Sequence, residues 1–251
     1  SPRMFYGLWI VFGGTLLMVL SSGVSYYGFS AFFVPLEEEF QWDRAALAGV
    51  FSASRIEGGV LGPVEGWVVD KYGPRIPMLV GIPLMGVGFI LVSQINSLVA
   101  LYLVYILAVT LGSSLGVQTP VSATAANWFQ RRRSRVFSIL LSGAAMGGFV
   151  VLPVLSWTIS TFGWRVAAVA SGLLVYAVGV PVAFVMRHRP EDYGYLPDGA
   201  SPSSATATAL RESQPESPPD GPELGPMAAL RTPAFWVLGL FLSIQSMVTT
   251  G

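Results

Sequence analysis

Apolar positions in this chain come in blocks of about 20 residues or more, the length a helix needs to cross a hydrocarbon layer of ~30 Å. The first block runs from about Tyr6 to Phe33, and Glu37, Glu38 and Glu39 after it predict a polar loop. A second begins at Asp43, a candidate N-cap, and runs to about Val69. A third covers about Ile76 to Ile95, with Asn96-Ser97 turning the chain into a fourth from about Leu98 to Ala126. The fifth spans about Val136 to Ile159, and Phe162-Gly163-Trp164 turns it into a sixth from about Val166 to Met186. A further apolar run starts near Pro233 and continues to Gly251. Within lipid, backbone groups must be satisfied inside each segment, so the pattern predicts an all-α, polytopic membrane protein.

Composition agrees with the pattern: 53% of the 251 residues are hydrophobic and 11% are charged, against about 25% charged in soluble domains. The opening block shows no small-residue cleavage site and reads as a span, not a removed signal peptide. With no cysteine and one histidine, His188, read as an exposed surface residue, neither disulfides nor thiolate or multi-histidine metal sites are expected. No cofactor is expected, and a formal net charge of zero gives no sign of a nucleic-acid partner. A membrane enzyme would need a nucleophile–base pair or metal ligands within the spans, and a channel would need a filter or charged ring; neither is visible.

The basic residues set an expected orientation. With the N-terminus in the cytoplasm, the inner segments hold Arg3, then Lys71 and Arg75, then Arg131, Arg132, Arg133 and Arg135, then Arg187, Arg189, Arg211 and Arg231. Arg44 and Arg165 fall outside, and Arg55 alone lies within a span. Residues 199–225 are rich in Ser, Pro, Ala and Thr and bury too little apolar area to offset chain entropy. The expected organisation is a six-helix bundle over 1–186, a cytoplasmic linker over 187–231, and the start of a seventh helix over 232–251. That plan is half of a two-part transporter whose second half lies beyond the chain.

Two motifs carry a family resemblance. The stretch from Gly66 to Arg75 reads Gly-Trp-Val-Val-Asp-Lys-Tyr-Gly-Pro-Arg. It resembles the signature G-x-x-x-D-R/K-x-G-x-R/K that major facilitator transporters carry between their second and third helices. Gly66 would let the helix end approach a neighbour, Gly73 suits a turn with positive φ, Asp70 can accept from helix-end N–H groups or pair with an Arg, and Lys71 and Arg75 keep the loop in the cytoplasm. The resemblance implies that this loop (Gly66, Asp70, Lys71, Gly73, Arg75) latches the two halves and controls gating.

The second motif, Asn127 to Arg133 followed by Ser138, Ser142, Gly143 and Gly147, resembles the fifth-helix signature of monocarboxylate transporters, with Arg135 in place of a Leu and Ser138 in place of a Gly. Generic small-residue packing is the alternative reading. Arg189 to Gly199 and Phe162 to Arg165 are similar to segments of bacterial oxalate/formate-antiporter-like proteins. The first-helix signature of animal monocarboxylate carriers is matched only in part at Tyr6 to Val11, without its acidic residue. What the resemblance implies is the six-helix N-terminal bundle of a major facilitator fold, built as a 3+3 inverted repeat in a bacterial inner membrane. The implied activity is alternating-access transport of a small organic anion such as a monocarboxylate, by proton symport or anion exchange. The alternative is an exporter or importer of another small molecule, such as a drug, sugar or siderophore.

Charge inside the second span supplies candidate site residues. Arg55 lies roughly 18 Å from the Asp43 end, near the midplane, where a charge costs at least ~2.5–3.5 kcal/mol unless it faces a cavity or a partner. An Arg there suits a carboxylate substrate. It also shares a stripe with Gly59, Gly62 and Gly66, which reads equally well as a packing seam. Glu57 points away from Arg55 and is a candidate proton carrier; Glu65 reads as structural. Tyr26 and Tyr27 are candidate anion ligands or members of an interfacial aromatic belt. Gln118 could line the cavity or satisfy backbone groups freed by Pro120. Ser142 completes the candidate set.

Overall fold

The computed structural model describes residues 6–188, and these are helical almost throughout. Six long helices follow in order: α1 (Gly7–Phe40), α2 (Arg44–Tyr72), α3 (Arg75–Val92), α4 (Leu98–Trp128), α5 (Arg133–Phe162) and α6 (Trp164–Val185). No strand occurs among the described residues. All but α2 are apolar and long enough to cross a membrane; α2 is 29 residues long but carries Arg55, Glu57 and Glu65 in its middle. The expected linker and seventh helix lie outside the described residues.

The observed ends refine the sequence reading. Glu37, Glu38 and Glu39 do not form a loop: α1 stays helical through Phe40, and Gln41 ends it in the left-handed region at φ 57°. Glutamate is a good helix former once outside the apolar layer, and two of these acids find cations at the same end of the bundle. Arg44 pairs with Glu37 at 2.7 Å and Arg165 with Glu39 at 2.6 Å, while the Trp164 indole N–H also donates to Glu39 at 2.6 Å. Asp43 occupies the N-cap position of α2 without a side-chain bond, whereas the Ser97 hydroxyl caps α4 by accepting from Ala100 N–H at 3.2 Å. Gly73 (φ +74°) and Gly163 (φ +84°) take the positive φ that their tight interhelix turns require.

α1 packs along α5, α4 along α2, and α3 along α6, with α1–α6 and α4–α3 also in contact, as are the chain neighbours α5–α6 and α2–α3. These pairings map onto one another when α1, α2, α3 are exchanged for α4, α5, α6, as a 3+3 repeat demands. Several helix pairs meet backbone to backbone. A Cβ on Gly147 would sit 2.5 Å from the Val19 carbonyl oxygen and 2.7 Å from Gly23 N, and Gly112 and Gly116 of α4 lie equally close to the backbone of α3. With no hydrophobic drive between helices in lipid, such close approach supplies much of the attraction. Large apolar side chains such as Phe149, 83% exposed, and Trp157 point outward, where a bilayer covers them.

Gly59, Gly62 and Gly66 form no seam between described helices, since a Cβ added at any of them meets nothing within 4 Å. The stripe is an open face of α2.

Candidate functional site

Both α1 and α4 leave regular α geometry at mid-length. α1 takes a π turn over Ser22–Tyr27, and α4 takes two, over Tyr105–Thr110 and Ser114–Gln118. The second π turn of α4 leads into Thr119-Pro120, where the proline lacks the N–H that would continue the ladder. Such widened turns free backbone groups and often accompany functional sites. Between them and α2 opens a cavity of about 310 Å³, near the lower bound for small-molecule sites of roughly 300 Å³.

α1 contributes Ser25 and Tyr26 to its wall, α2 contributes Phe51, Ser54, Glu57 and Gly58, and α4 contributes Tyr105, Thr110, Ser113, Ser114 and Gln118. Several of these polar groups are committed to each other. Tyr105 donates to the Ser25 carbonyl, the Ser54 and Thr110 hydroxyls are 3.0 Å apart, and Ser113 meets Ser21 of α1 at 2.8 Å. Phe51 and Tyr105 both pack on Phe29, at ring-centroid distances of 5.1 and 4.1 Å, and together they brace the wall at the acidic end.

Glu57 has no such commitment. It is 8% exposed and faces the cavity, and neither carboxylate oxygen has a hydrogen-bond partner. Arg55 points elsewhere: it is exposed and its guanidinium donates to the Tyr26 hydroxyl at 3.3 Å. The structure therefore puts Glu57, Tyr26 and Gln118 on one cavity, with Arg55 reaching its rim through Tyr26. Tyr27 turns to cover Gly148 of α5, and Ser142 is exposed on α5; neither lines the cavity.

Glu65, read from sequence as structural, is 3% exposed, and one of its oxygens accepts from Ser114 and from Thr119, the latter at 3.1 Å. Sequence reasoning missed the link to α4, although the eight-residue spacing of Glu57 and Glu65 places both on one side of α2.

The loop after α2 forms a second cluster. Lys71 stacks over Trp67 and Tyr72, at 4.6 and 5.3 Å from the ring centroids, and Asp70 is exposed. Arg75 donates to the Phe184 carbonyl at 2.6 Å. Other side chains converge on the same helix end: Tyr6 on the Val185 carbonyl at 2.8 Å, Trp128 on Arg187 at 3.0 Å, and Asn127 on His188 at 3.4 Å. The Phe184 and Val185 carbonyls at the end of α6 are thus capped by Arg75 and Tyr6, and α4 holds the two residues after Met186. His188 is not the exposed surface residue expected; it is half-buried with its ring against Gly73. Arg75→Ala should therefore speed amide hydrogen exchange over 184–188 while leaving α2 unchanged. Equal protection in the variant would show that the bond holds nothing in place.

Six helices thus frame a polar cavity between α1, α2 and α4. The family model described as Major Facilitator Superfamily matches residues 15–251, and the chain belongs to that family. An oxalate:formate antiporter of Oxalobacter formigenes is 30% identical over 173 residues, 68% of this chain and 40% of that protein. Monocarboxylate transporter 12 of Homo sapiens is 28% identical over 164 residues, 65% of this chain and 32% of that protein. The MFS-type transporter opdF of Penicillium oxalicum is 30% identical over 140 residues, 53% of this chain and 32% of that protein. The chain thus matches well under half the length of these relatives. Helix lengths, composition and family together make it an integral membrane protein.

Proposed function

We propose that the complete protein is a secondary transporter of a small organic anion, such as a monocarboxylate, that works by alternating access and not as an enzyme. The observation that carries the reading is the polar cavity between α1, α2 and α4, set at mid-span in a bundle whose named relatives include an oxalate:formate antiporter and monocarboxylate transporters. Tyr26 and Gln118 offer hydrogen bonds to a carboxylate, and Arg55 draws the anion to the rim through Tyr26. Glu57 is the proton-coupling candidate, and coupling is by proton symport or by exchange.

The open glycine face of α2 supports packing by a second half, which supplies the rest of the cavity. The loop of Gly66, Asp70, Lys71, Gly73 and Arg75 then gates at the basic end, with Asp70 exposed for that second half and Arg75 anchored to α6. The placement of basic residues supports a cytoplasmic N-terminus, and the likeness to an oxalate:formate antiporter of Oxalobacter formigenes supports a bacterial inner membrane.

The test is uptake of labelled lactate, formate and oxalate into proteoliposomes of the full-length protein, with and without an inward proton gradient. Saturable uptake driven by the gradient is expected for a symporter, and uptake only against preloaded anion for an exchanger. No uptake of any acid by folded protein sinks the reading. One observation favours a second reading: Glu57 is the cavity-lining residue with a carboxyl group, and among the described residues no Lys or Arg lines the wall. A transporter of a cationic or neutral small molecule would show uptake or efflux of that class with all three acids inert.

A further inference from the structure

The Glu65 carboxyl sits between two cavities and touches each through a different hydroxyl. Ser114, which donates to one oxygen of Glu65, lines the central cavity together with Glu57. Thr119 donates to the same oxygen at 3.1 Å and lines an adjoining, wide-open pocket of about 480 Å³ toward the basic end, bounded by Ser122, Arg133 and Phe137 and sharing Gln118 with the central cavity. The other Glu65 oxygen is buried and has no partner. Two helical turns away, Glu57 is nine-tenths buried and unpartnered, and it faces the central cavity. We propose that Glu65, with Ser114 on one side and Thr119 on the other, is a proton-binding site that passes protons between the central cavity and the cavity at the basic end.

The surroundings of the site narrow its ligand to a proton. Both ion pairs given by the structure among the described residues lie at the acidic end, at Glu37–Arg44 and Glu39–Arg165. On α4 no charged residue occurs between 98 and 128, α3 contributes only Arg75, which is spent on the Phe184 carbonyl, and on α5 Arg133 bounds the basic-end cavity and stacks over Phe137 at 5.6 Å. On α2 itself, Arg55 is bonded to Tyr26 and Lys71 stacks on Trp67 at the helix end. Tyr105, across the central cavity, is committed to Ser25. One Glu65 oxygen is served by the two hydroxyls, while the other is buried without a partner and is the position a proton would take.

The transfer balances without any other reactant. The Ser114 O–H bond breaks as its proton passes to Glu65, and the serine oxygen takes a proton from hydronium in the central cavity, leaving water. Glu65 changes from carboxylate to carboxylic acid and Ser114 is regenerated. Release reverses these steps through Thr119: its hydroxyl proton goes to water on the far side, and the threonine oxygen takes the proton from Glu65. Glu57, on the same central cavity, holds the proton that accompanies substrate, so the inference deepens the transport reading and rests on it for its purpose.

The test reads the proton directly. In the full-length protein in liposomes, infrared difference spectra between acid and alkaline buffer should contain a protonated-carboxyl C=O band that disappears in Glu65→Gln. Glutamine keeps an oxygen for Ser114 and Thr119 to bond, so a purely structural role would survive that change. Ser114→Ala and Thr119→Val each remove one donor and should shift the frequency of the same band, which keeps the proposal testable if Glu65→Gln fails to fold. A spectrum unchanged by Glu65→Gln, or a band that neither hydroxyl variant moves, overturns it. Because the band needs no substrate, inert lactate, formate and oxalate would sink the transport reading while the spectra still decide the proton site.

Discussion

Gly112→Val should lower the melting temperature of the bundle by roughly 6–12 °C, the shift expected for about 3 kcal/mol in a unit of this size. A Cβ at Gly112 would stand 2.5 Å from Met85 N and 2.9 Å from Met85 Cα, both backbone atoms of α3. Neither can rotate away, so the two helices must separate. Separation would also strain the Ser21–Ser113 hydroxyl pair beside Gly112 and open the close approach of Gly116 to α3, where a Cβ would stand 2.6 Å from Ile82 N. Overpacking of side chain on side chain is relieved by rotamer changes; overpacking on backbone is not. The control is Ala145→Val on α5, an exposed position where the added methyl groups meet no packed helix. Thermal unfolding followed by size-exclusion chromatography in detergent measures both. A Gly112→Val protein that melts within two or three degrees of wild type (about 1 kcal/mol) would show that α3 and α4 are not held by backbone contact.

Five of the six helices were legible because lipid imposes one rule, a long apolar helix, and α2 was legible by its length despite Arg55, Glu57 and Glu65; except at the end of α1, helix ends fell close to where the apolar blocks stop. The partner of each helix was less legible. Gly112-x-x-x-Gly116 and Gly143-x-x-x-Gly147 both match the small-residue spacing of close helix pairs, and both are packed. Gly58-x-x-x-Gly62-x-x-x-Gly66 has the same spacing and meets nothing among the described residues. The pattern reports that a backbone can be approached closely; it carries no information on what approaches. The helical state of Glu37, Glu38 and Glu39 was hidden for a related reason. Their charge marks the end of the apolar layer, while the helix is carried further by Arg44, Arg165 and Trp164, which are distant in sequence or lie beyond the turn.

The site was partly legible. A charged residue at mid-span is conspicuous in any apolar block, so Arg55, Glu57 and Glu65 could all be singled out. Their ranking could not. Rotation about α2 decides which one meets the cavity, and α4, with its two π turns, forms the facing wall. Thus Arg55 falls on the exposed side and Glu57 on the cavity side. Tyr27 faces α5 for the same kind of reason, because the π turn over Ser22–Tyr27 carries Tyr26 and Tyr27 to different neighbours.

Glu57→Gln should abolish proton-driven accumulation of substrate by the full-length protein. The amide matches the carboxyl in size, so cavity shape is kept while the proton-binding group is lost. In the wild type, a symporter's uptake rises as the entry side is acidified; in the variant that dependence should vanish and accumulation should fall to the level of empty vesicles. Counterflow of preloaded against external acid, which needs no net proton movement, separates the roles of Glu57. Loss of acidification dependence alone assigns the residue to the proton. Loss of counterflow as well assigns it to contact with substrate, since Gln can donate a hydrogen bond where Glu could only accept one when ionised. An unchanged response to acid in Glu57→Gln would remove Glu57 from the coupling step, and the burial of an unpartnered carboxyl on the cavity wall would then have no transport role.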